Sequence, residues 1–269
     1  MSLLKFYIGF SWDKKIRDNN TYPYCFISIA SNYSYNCYKK LTPWFINNAK
    51  DIMLDSGGFS FLNRFGDYPF GFDKFVEWIH MIDDVNDCGV GYVATPDYPC
   101  EKDITRTCKL KSNRERIIKT VDNAIIIMDE YPDINWMPVL QGFTLDEYKH
   151  CLDLYRNRGI NPEKFAIGSM CRRKNVRQIE NYVRNLIEYG LTEKIHLFGL
   201  LMNGLKSKYL FDTVDSCDSI SFSYNVYSQK EKIMKRDKTL EVVGGLLLKN
   251  KEQITLMDYI DYEKSCSYR

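Results

Sequence analysis

The sequence lacks a strong excess of either charge and any long apolar run. Its 37 lysine and arginine residues nearly balance its 35 aspartate and glutamate residues, so no field of the whole molecule would draw it to nucleic acid. Any such contact must depend on local patches of cations. No apolar run approaches the roughly 20 residues that span a bilayer, so we expect no membrane segment.

The sequence also lacks the cysteine and histidine spacings of metal sites. None of its nine cysteines forms a Cys-x-x-Cys pair, and none clusters with histidine at zinc-finger spacing. Residues 1–5 carry no signal-peptide pattern. We therefore expect reduced thiols, no bound metal and a cytoplasmic location.

Internal repeats, Pro/Ser-rich linkers and low-complexity tracts are missing too, which favours one domain over residues 1–269. Eight short apolar runs predict β-strands at 6–10, 26–30, 52–55, 90–94, 136–140, 165–168, 195–199 and 219–222. Amphipathic stretches between them predict helices at 38–49, 72–85, 113–130, 145–158, 175–189 and 205–214.

Strands that alternate with helices indicate an α/β fold with a parallel sheet, and a count of eight indicates a closed (β/α)8, TIM-like barrel. We place this barrel at about residues 5–223. A doubly wound open sheet is the alternative. Residues 224–269 are expected to add one or two helices and an apolar piece at 242–248, packed on the outside.

The stretch Asp55-Ser56-Gly57-Gly58-Phe59 closes the third predicted strand. A buried parallel strand would deliver the Asp55 carboxylate to its C-terminal end, and the glycines would then form a sharp turn. Because glycine has no Cβ, a flat ligand could also approach the backbone there. The alternative is that Asp55 only caps a turn, which is common for a strand followed by Asp and Gly.

Polar residues occupy the ends of other predicted strands as well. Asp97 follows the fourth strand, Gln141-Gly142 the fifth and Gly168-Ser169 the sixth, while Asp215 and Asp218 bracket the start of the eighth. In a closed parallel barrel these C-terminal ends form the active-site mouth. Each residue also has an ordinary structural explanation, as a turn residue or as a partner of a buried carbonyl. For Asp215 we favour a helix-end or turn role over a catalytic one.

Five stretches, in their order along the chain, resemble motifs of the tRNA-guanine transglycosylase superfamily. The motifs are Asp55-Ser56-Gly57-Gly58-Phe59, Val139-Leu140-Gln141-Gly142, Ile167-Gly168-Ser169, His196-Leu197-Phe198-Gly199-Leu200 and Asp215-Ser216-Cys217-Asp218. Two further stretches are closer to the DpdA-like 7-deazaguanine DNA transglycosylases: Ala94-Thr95-Pro96-Asp97-Tyr98-Pro99-Cys100-Glu101 and Gly168-Ser169-Met170-Cys171-Arg172-Arg173. The resemblance extends from about Phe6 to Phe222.

The sequence departs from the tRNA enzymes in two places. The zinc-binding subdomain of that superfamily is missing, because Cys266 is the only cysteine after Asp218. The Pro-Thr-Arg that follows the nucleophile in tRNA enzymes is replaced by Ser219-Ile220-Ser221. Both departures favour DNA over tRNA as the substrate.

The resemblance implies an exchange of guanine in DNA for a free 7-deazaguanine base, such as 7-cyano-7-deazaguanine. Asp218 would attack C1′ and hold the sugar covalently, and Asp55 would handle the proton. The turn from Ser56 to Phe59 would help to bind the substrate. Asp97, Gln141-Gly142 and Gly168-Ser169 would read the base. No cofactor is implied, since one glycosidic bond replaces another.

The resemblance also implies contact with single-stranded DNA or a flipped-out nucleotide. Arg172 and Arg173 follow the sixth predicted strand and would hold flanking phosphates. Two alternatives stay open: a tRNA or nucleoside base-exchange enzyme, and a non-catalytic subunit that binds nucleic acid for a partner. A virus-encoded protein acting in the host cytoplasm is compatible with all three. The sequence does not indicate an oligomeric state.

Overall fold

The computed structural model describes residues 4–10, 23–30, 49–84, 88–102, 106–171, 173–200, 203–219, 234–235 and 238–244. Its strand segments are β1 (Lys5–Phe10), β2 (Tyr24–Ser28), β3 (Asp51–Asp55), β4 (Val90–Ala94), β5 (Trp136–Met137), β6 (Val139–Leu140), β7 (Lys164–Ile167), β8 (Lys194–Leu197) and β9 (Ser216–Ser219). Its helices are α1 (Gly58–Phe65), α2 (Phe72–Asp83), α3 (Asn113–Glu130), α4 (Leu145–Asn157), α5 (Val176–Glu188) and α6 (Lys208–Thr213), with a short 3₁₀ turn at Gly204–Lys206.

The strands form one parallel sheet that closes on itself. Their order is β5-β4-β3-β2-β1-β9-β8-β7-β6, so β5 and β6 are the two ends of the sheet. Only Pro138 separates these two segments, and proline has no N–H to give to a ladder. The Pro138 carbonyl nevertheless accepts from the Ala166 N–H of β7 at 2.9 Å. Since β5 and β6 are two pieces of one strand position, the sheet is the predicted eight-position parallel barrel.

Successive side chains along each strand point alternately into the barrel interior and outward toward the helices. On β1, Tyr7 packs inside the barrel with the interior residues of the other strands, whereas Phe6 and Ile8 belong to the core between strands and helices. The interior cluster contains Tyr7, Phe26, Met53, Ala94, Met137, Val139, Ala166 and Phe198. Residues two apart on a strand share a face, so β3 carries both Asp51 and Asp55 toward the interior, at opposite ends.

The last strand lies earlier in the chain than its apolar pattern indicated. It was predicted at 219–222, but the structure has it at Ser216–Ser219, paired with β1 and β8. The apolar Ile220 and Phe222 misled the prediction, since the four strand residues are three polar side chains and one cysteine, all buried. Asp218 is therefore the penultimate residue of the strand instead of preceding it.

Two helical features also differ from the predictions. Residues 58–65 form helix α1, which was missed because it begins on a glycine and has no side-chain cap. The single helix predicted at 205–214 is divided into the 3₁₀ turn and α6, at Ser207, whose hydroxyl accepts from the Leu210 N–H and caps α6. The other helices begin and end within about two residues of their predicted bounds, except the helix predicted at 38–49, which lies outside the described residues save for Ala49.

Part of the predicted tail is described. Residues 238–244 are helical, and within them Leu240 and Val243 are buried in the core between strands and helices. A helical tail over residues 224–269, packed on the outside of the barrel, stays a prediction. Of the apolar piece predicted at 242–248, only its first three residues are described, and they belong to this helix.

Candidate active site

The predicted site residues come from neighbouring ends of parallel strands. Asp55 is the last residue of β3, Gln141 follows β6, Gly168 follows β7, and Asp218 is one residue from the end of β9. Asp97 lies in the extended segment after β4. All of them are at the C-terminal mouth of the barrel, where enzymes of this architecture have their active sites.

Asp215 does not join this group. It precedes β9, at the other end of the barrel, and its Oδ2 accepts from the Ile195 N–H at 2.8 Å. Its backbone N–H donates to the Ile195 carbonyl at 2.9 Å. The sequence favoured an ordinary structural role for Asp215, and the structure makes it a residue that joins β8 to β9.

The turn after Asp55 is built so that it can lie directly against Asp97. Gly57 has φ 83°, a left-handed conformation that favours glycine. A Cβ on Gly58 would lie 2.5 Å from the Asp97 carbonyl oxygen and 2.8 Å from Oδ1, so no larger residue fits there without movement. Ser56 is fully buried and donates to Oδ1 of Asp97 at 2.7 Å. Phe59 is half-buried and packs with Phe61 and the aromatic cluster beside α1.

Asp97 is the centre of a buried hydrogen-bond network. Besides the bond from Ser56, its Oδ2 accepts from Nε2 of Gln141. The Tyr68 hydroxyl lies 3.0 Å from both the backbone N and the carbonyl O of Asp97, accepting from one and donating to the other. Burial raises the pKa of Asp97, while the bonds from Ser56 and Gln141 act against that shift. The network holds the carboxyl in one orientation.

The network continues through Gln141 to Ser169. The Ser169 hydroxyl donates to Oε1 of Gln141 at 2.7 Å and accepts from the Cys100 N–H at 2.8 Å. Ser169 has φ 53°, and it is the one non-glycine residue with a left-handed backbone in the described part of the chain. Such a conformation costs free energy and persists where the surroundings enforce it. The two bonds of its hydroxyl supply that constraint.

The two predicted glycines beside this network are required by close packing. A Cβ on Gly168 would collide with the amide of Gln141, so the side chain of Gln141 lies directly over the backbone there. The Gly168 carbonyl accepts from the Tyr148 hydroxyl at 2.7 Å. Gly142 lies against the first turn of α4, where a Cβ would be 2.8 Å from the Tyr148 backbone nitrogen.

Asp218 is held from one side by two donors. Its Oδ1 accepts from the Gly199 N–H at 2.8 Å and lies 3.2 Å from Nε2 of His196. Only 4% of the residue is exposed. His196 belongs to one of the motifs in the sequence, but the sequence did not indicate that it lies in the site. Its position on β8, alternating with apolar Ile195 and Leu197, could have indicated that it faces the barrel interior.

The carboxyl group of Asp55 has a strongly perturbed pKa. Burial, and then the neighbouring charges of Asp97 and Asp218, raise its pKa to about 7. Hydrogen bonds from the Ser28 side chain and from the Gly57 N–H act in the opposite direction. All three carboxyl groups lie at the same mouth of the barrel, and the charges of the other two disfavour ionisation of Asp55. A carboxyl that titrates near pH 7 can both give and take a proton at neutral pH.

The two predicted phosphate ligands have different outcomes. Arg172 lies outside the described residues. Arg173 is buried, and its Nε and Nη2 donate to the carbonyls of Ser169 and Phe143 at 3.1 and 2.6 Å. Its guanidinium also lies over the rings of Phe143 and Tyr182, 4.9 and 4.7 Å from their centroids. The geometry of Arg173 is that of a residue that anchors the Ser169 loop instead of reaching for DNA.

Across the described ranges, no group of three or more His, Cys, Asp and Glu side chains is arranged to hold a metal ion. In the same part of the chain, every helix is too short or too polar to cross a bilayer.

The fold and site define a parallel α/β barrel with three carboxyl groups at its C-terminal mouth. A family model described as DpdA, DeoxyPurine in DNA protein A, matches residues 26–235, which is well over half of the chain. The chain therefore belongs to the DpdA family. This membership supports a DNA-modifying transglycosylase with DNA as its substrate, and it confirms the resemblance found in the sequence. No curated protein matches the chain.

Proposed function

We propose that this protein exchanges guanine in DNA for a 7-deazaguanine base through a covalent bond between Asp218 and the sugar. The observation that carries the proposal is the pairing of two acids with different environments. Asp218 is fixed by donors on Oδ1, whereas the pKa of Asp55 is raised to about 7. Carboxyl groups whose environments differ in this way can divide the roles of nucleophile and acid/base catalyst.

In the first half of the proposed reaction, Asp218 attacks C1′ of the target nucleotide. Among the described residues, both hydrogen bonds to this carboxylate go to Oδ1, which leaves Oδ2 for the attack. The bond between C1′ and the base nitrogen breaks, its electron pair goes to guanine, and guanine takes the proton of Asp55. The products of this half are free guanine, a sugar ester of Asp218 and the Asp55 carboxylate.

In the second half, the Asp55 carboxylate removes the N9 proton of the incoming 7-deazaguanine. The base nitrogen then attacks C1′, the ester bond breaks, and the Asp218 carboxylate is restored. Both acids return to their starting protonation states. One glycosidic bond has replaced another, so the exchange needs no external energy source.

The Asp97 network supplies the recognition of the base in this proposal. A carboxylate has about four acceptor positions, so Asp97 can accept from the N–H groups of a guanine-like base while it keeps the bonds from Ser56 and Gln141. The backbone around Gly168 and Ser169 would donate to the O6 side. Because the network is assembled before the base arrives, little ordering would accompany binding.

Phosphate contacts are assigned to cations other than Arg173. Lys102, Lys174 and Arg177 are exposed and lie on segments that follow β4 and β7, on the mouth side of the barrel. Arg172 stays a proposed phosphate ligand by its place in the sequence. The target base would have to be unstacked or single-stranded to reach Asp218.

The proposal is tested with purified protein, DNA and 7-cyano-7-deazaguanine, with tRNA in a parallel reaction. Mass spectrometry of the nucleosides should find the 7-deazaguanine nucleoside in DNA and not in tRNA, with one guanine released for each base inserted. Denaturing gels should show a DNA–protein adduct. The Asp218→Asn variant should form neither product nor adduct, since an amide is too poor a nucleophile.

The matched control is Asp212→Asn, because Asp212 lies on α6 and pairs with Lys208 at 3.1 Å, away from the site. This variant should exchange bases as the unaltered protein does. Product in tRNA alone would favour the tRNA alternative. No product in either nucleic acid, together with binding to DNA, would favour the non-catalytic subunit. Exchange by Asp218→Asn would show that Asp218 is not the nucleophile.

A further inference from the structure

A file of polar side chains runs through the apolar interior of the barrel toward Asp218. Nζ of Lys164 donates to Oγ of Ser216 at 3.4 Å, and Oγ of Ser216 lies 2.9 Å from Nδ1 of His196. Nε2 of His196 in turn lies 3.2 Å from Oδ1 of Asp218. Lys164 and Asp218 are each 4% exposed, and Ser216 and His196 are fully buried.

The imidazole is enclosed by aromatic rings. Phe26 stacks on it with centroids 5.9 Å apart and an angle of 13° between the planes. Phe198 and Tyr7 meet it edge-on at 5.0 and 6.1 Å. These rings hold the imidazole in one plane and keep water from it. The two polar neighbours of its nitrogens, among the described residues, are thus Ser216 and Asp218.

The direction of each proton follows from the carboxylate end of the file. A carboxylate only accepts, so the proton of a neutral His196 ring is on Nε2 and points to Asp218. Nδ1 is then an acceptor, so the Ser216 O–H donates to it, while the Ser216 oxygen accepts from the Lys164 ammonium group. Burial lowers the pKa of His196 and so favours the neutral ring, although Asp218 acts in the opposite direction.

Lys164, at the far end of the file from Asp218, is also buried, and its burial affects whether its side chain is charged. Burial lowers the pKa of Lys164, and the charges of Lys5 and Lys194 act in the same direction. The carboxylates of Asp215 and Asp51 act against this shift and support the ammonium form. Nζ of Lys164 also lies over the ring of Tyr92, 4.6 Å from its centroid, which adds a cation–π contact.

We propose that Lys164, Ser216 and His196 form a positioning relay that fixes the rotation of the Asp218 carboxylate. With the Gly199 N–H alone, the carboxylate could turn about its Cβ–Cγ bond. A second donor on the same oxygen, supplied by His196 in a defined tautomer, holds Oδ1 and leaves Oδ2 aimed at the sugar. The relay rests on the proposed function only in that Asp218 is the nucleophile; the tautomer itself is a property of the free protein.

The tautomer is tested without any substrate. The chain has three histidines, so ¹⁵N-labelled histidine gives few enough ring signals to assign with a His196→Gln variant. His196 should be a neutral ring with the proton on Nε2. Ser216→Ala removes the hydroxyl that holds Nδ1, and the signals should shift toward a mixture of tautomers. A ring protonated on Nδ1, an imidazolium or an unchanged spectrum in Ser216→Ala would overturn the relay.

The effect on Asp218 is tested by kinetics. His196→Phe keeps a flat ring among the aromatic neighbours but removes the donor, and should lower kcat for adduct formation by up to about 10²-fold. The KM for the 7-deazaguanine base should change little, because the base-reading network does not contain His196. His196→Gln keeps an N–H donor and should recover part of the loss.

Thermal melts establish that both variants are folded. A folded His196→Phe protein with an unaltered kcat would overturn the positioning role. So would a His196→Gln variant whose kcat is as low as that of His196→Phe. If the unaltered protein exchanges no base at all, the proposed function fails, while the tautomer measurement still decides whether the relay exists.

Discussion

The Ser56 hydroxyl donates to Oδ1 of Asp97 over 2.7 Å, which joins the turn that follows Asp55 to the segment that we propose reads the base. The two segments come from different strands, β3 and β4, and Gly58 lies between them. Asp55 and Asp97, the proposed acid/base and base-reading groups, are therefore coupled in their positions. Changes that separate the two segments should affect both functions.

Gly58→Ala is expected to separate them. The new Cβ would lie 2.5 Å from the Asp97 carbonyl oxygen and 2.9 Å from the Tyr68 hydroxyl, and backbone atoms give way at a cost. We expect a loss of stability of about 1–3 kcal/mol from overpacking, and weaker binding of the free base. Denaturant unfolding and calorimetric titration with 7-cyano-7-deazaguanine measure the two effects.

The matched control for that change is Gly71→Ala, at the N-cap of α2. A Cβ on Gly71 meets nothing within 4 Å, and its φ of −83° suits any residue. This variant should keep its base affinity and nearly all of its stability. Equal effects of the two alanines would mean that the contact between Gly58 and Asp97 is unimportant.

The raised pKa of Asp55 predicts a pH-dependent stability. Between its ordinary value of 3.8 and about 7, the folded protein holds a proton on Asp55 that the unfolded chain releases. The free energy of unfolding therefore falls as pH rises through that window. Asp55→Asn cannot ionise and avoids this loss. Its Tm, relative to the unaltered protein, should rise between about pH 4 and about pH 7.

The same titration should appear in the chemistry. In the first half of the proposed reaction Asp55 gives its proton to guanine, so single-turnover release of guanine should fall above about pH 7. Asp55→Asn should lower turnover by about 10²–10⁴-fold. A difference in Tm that is constant with pH, or a flat rate profile, would mean that Asp55 does not titrate in this range.

Much of the barrel could be predicted from the sequence because most strand positions are a short apolar run followed by a polar residue. Asp55, Asp97 and Gln141 followed from that rule alone. The rule failed for β9, where buried Ser216 and Asp218 replace apolar residues. A buried polar strand is stabilised by partners distant in sequence, such as His196, which is 22 residues from Asp218, and no local pattern reveals them.

Arg173 shows that the local sequence also fails to reveal whether a charged side chain is exposed. Its sequence neighbours are charged, so it was expected to be exposed and to bind phosphate. The structure instead stacks it on Phe143 and Tyr182 and bonds it to a carbonyl 30 residues away. Whether a cation is exposed depends on tertiary contacts, so a charged run shows where cations occur but not which of them reach solvent.

The burial of Arg173 predicts opposite effects for adjacent cations. Arg173→Ala removes two charge-assisted bonds and should cost about 1.5–3 kcal/mol of stability, without changing the dependence of DNA binding on salt. Lys174→Ala and Arg177→Ala remove exposed cations. Each should leave stability unchanged and lower the slope of log K against log salt by about one. If Arg173→Ala reduces the slope at full stability, it binds phosphate after all.

The left-handed Ser169 allows its backbone and its hydroxyl to be tested separately. Ser169→Ala and Ser169→Gly both remove the bonds to Gln141 and Cys100, so both should weaken binding of the free base to a similar degree. Only glycine relieves the backbone strain of φ 53°, which costs an L-residue roughly 1–2 kcal/mol. The alanine variant should therefore unfold at a lower denaturant concentration than the glycine variant, while calorimetric titration gives the two a similar base affinity. If alanine binds the base as the unaltered protein does, the hydroxyl has no part in base reading. If glycine is the less stable variant, the strain at Ser169 is smaller than the entropy that glycine adds to the unfolded chain.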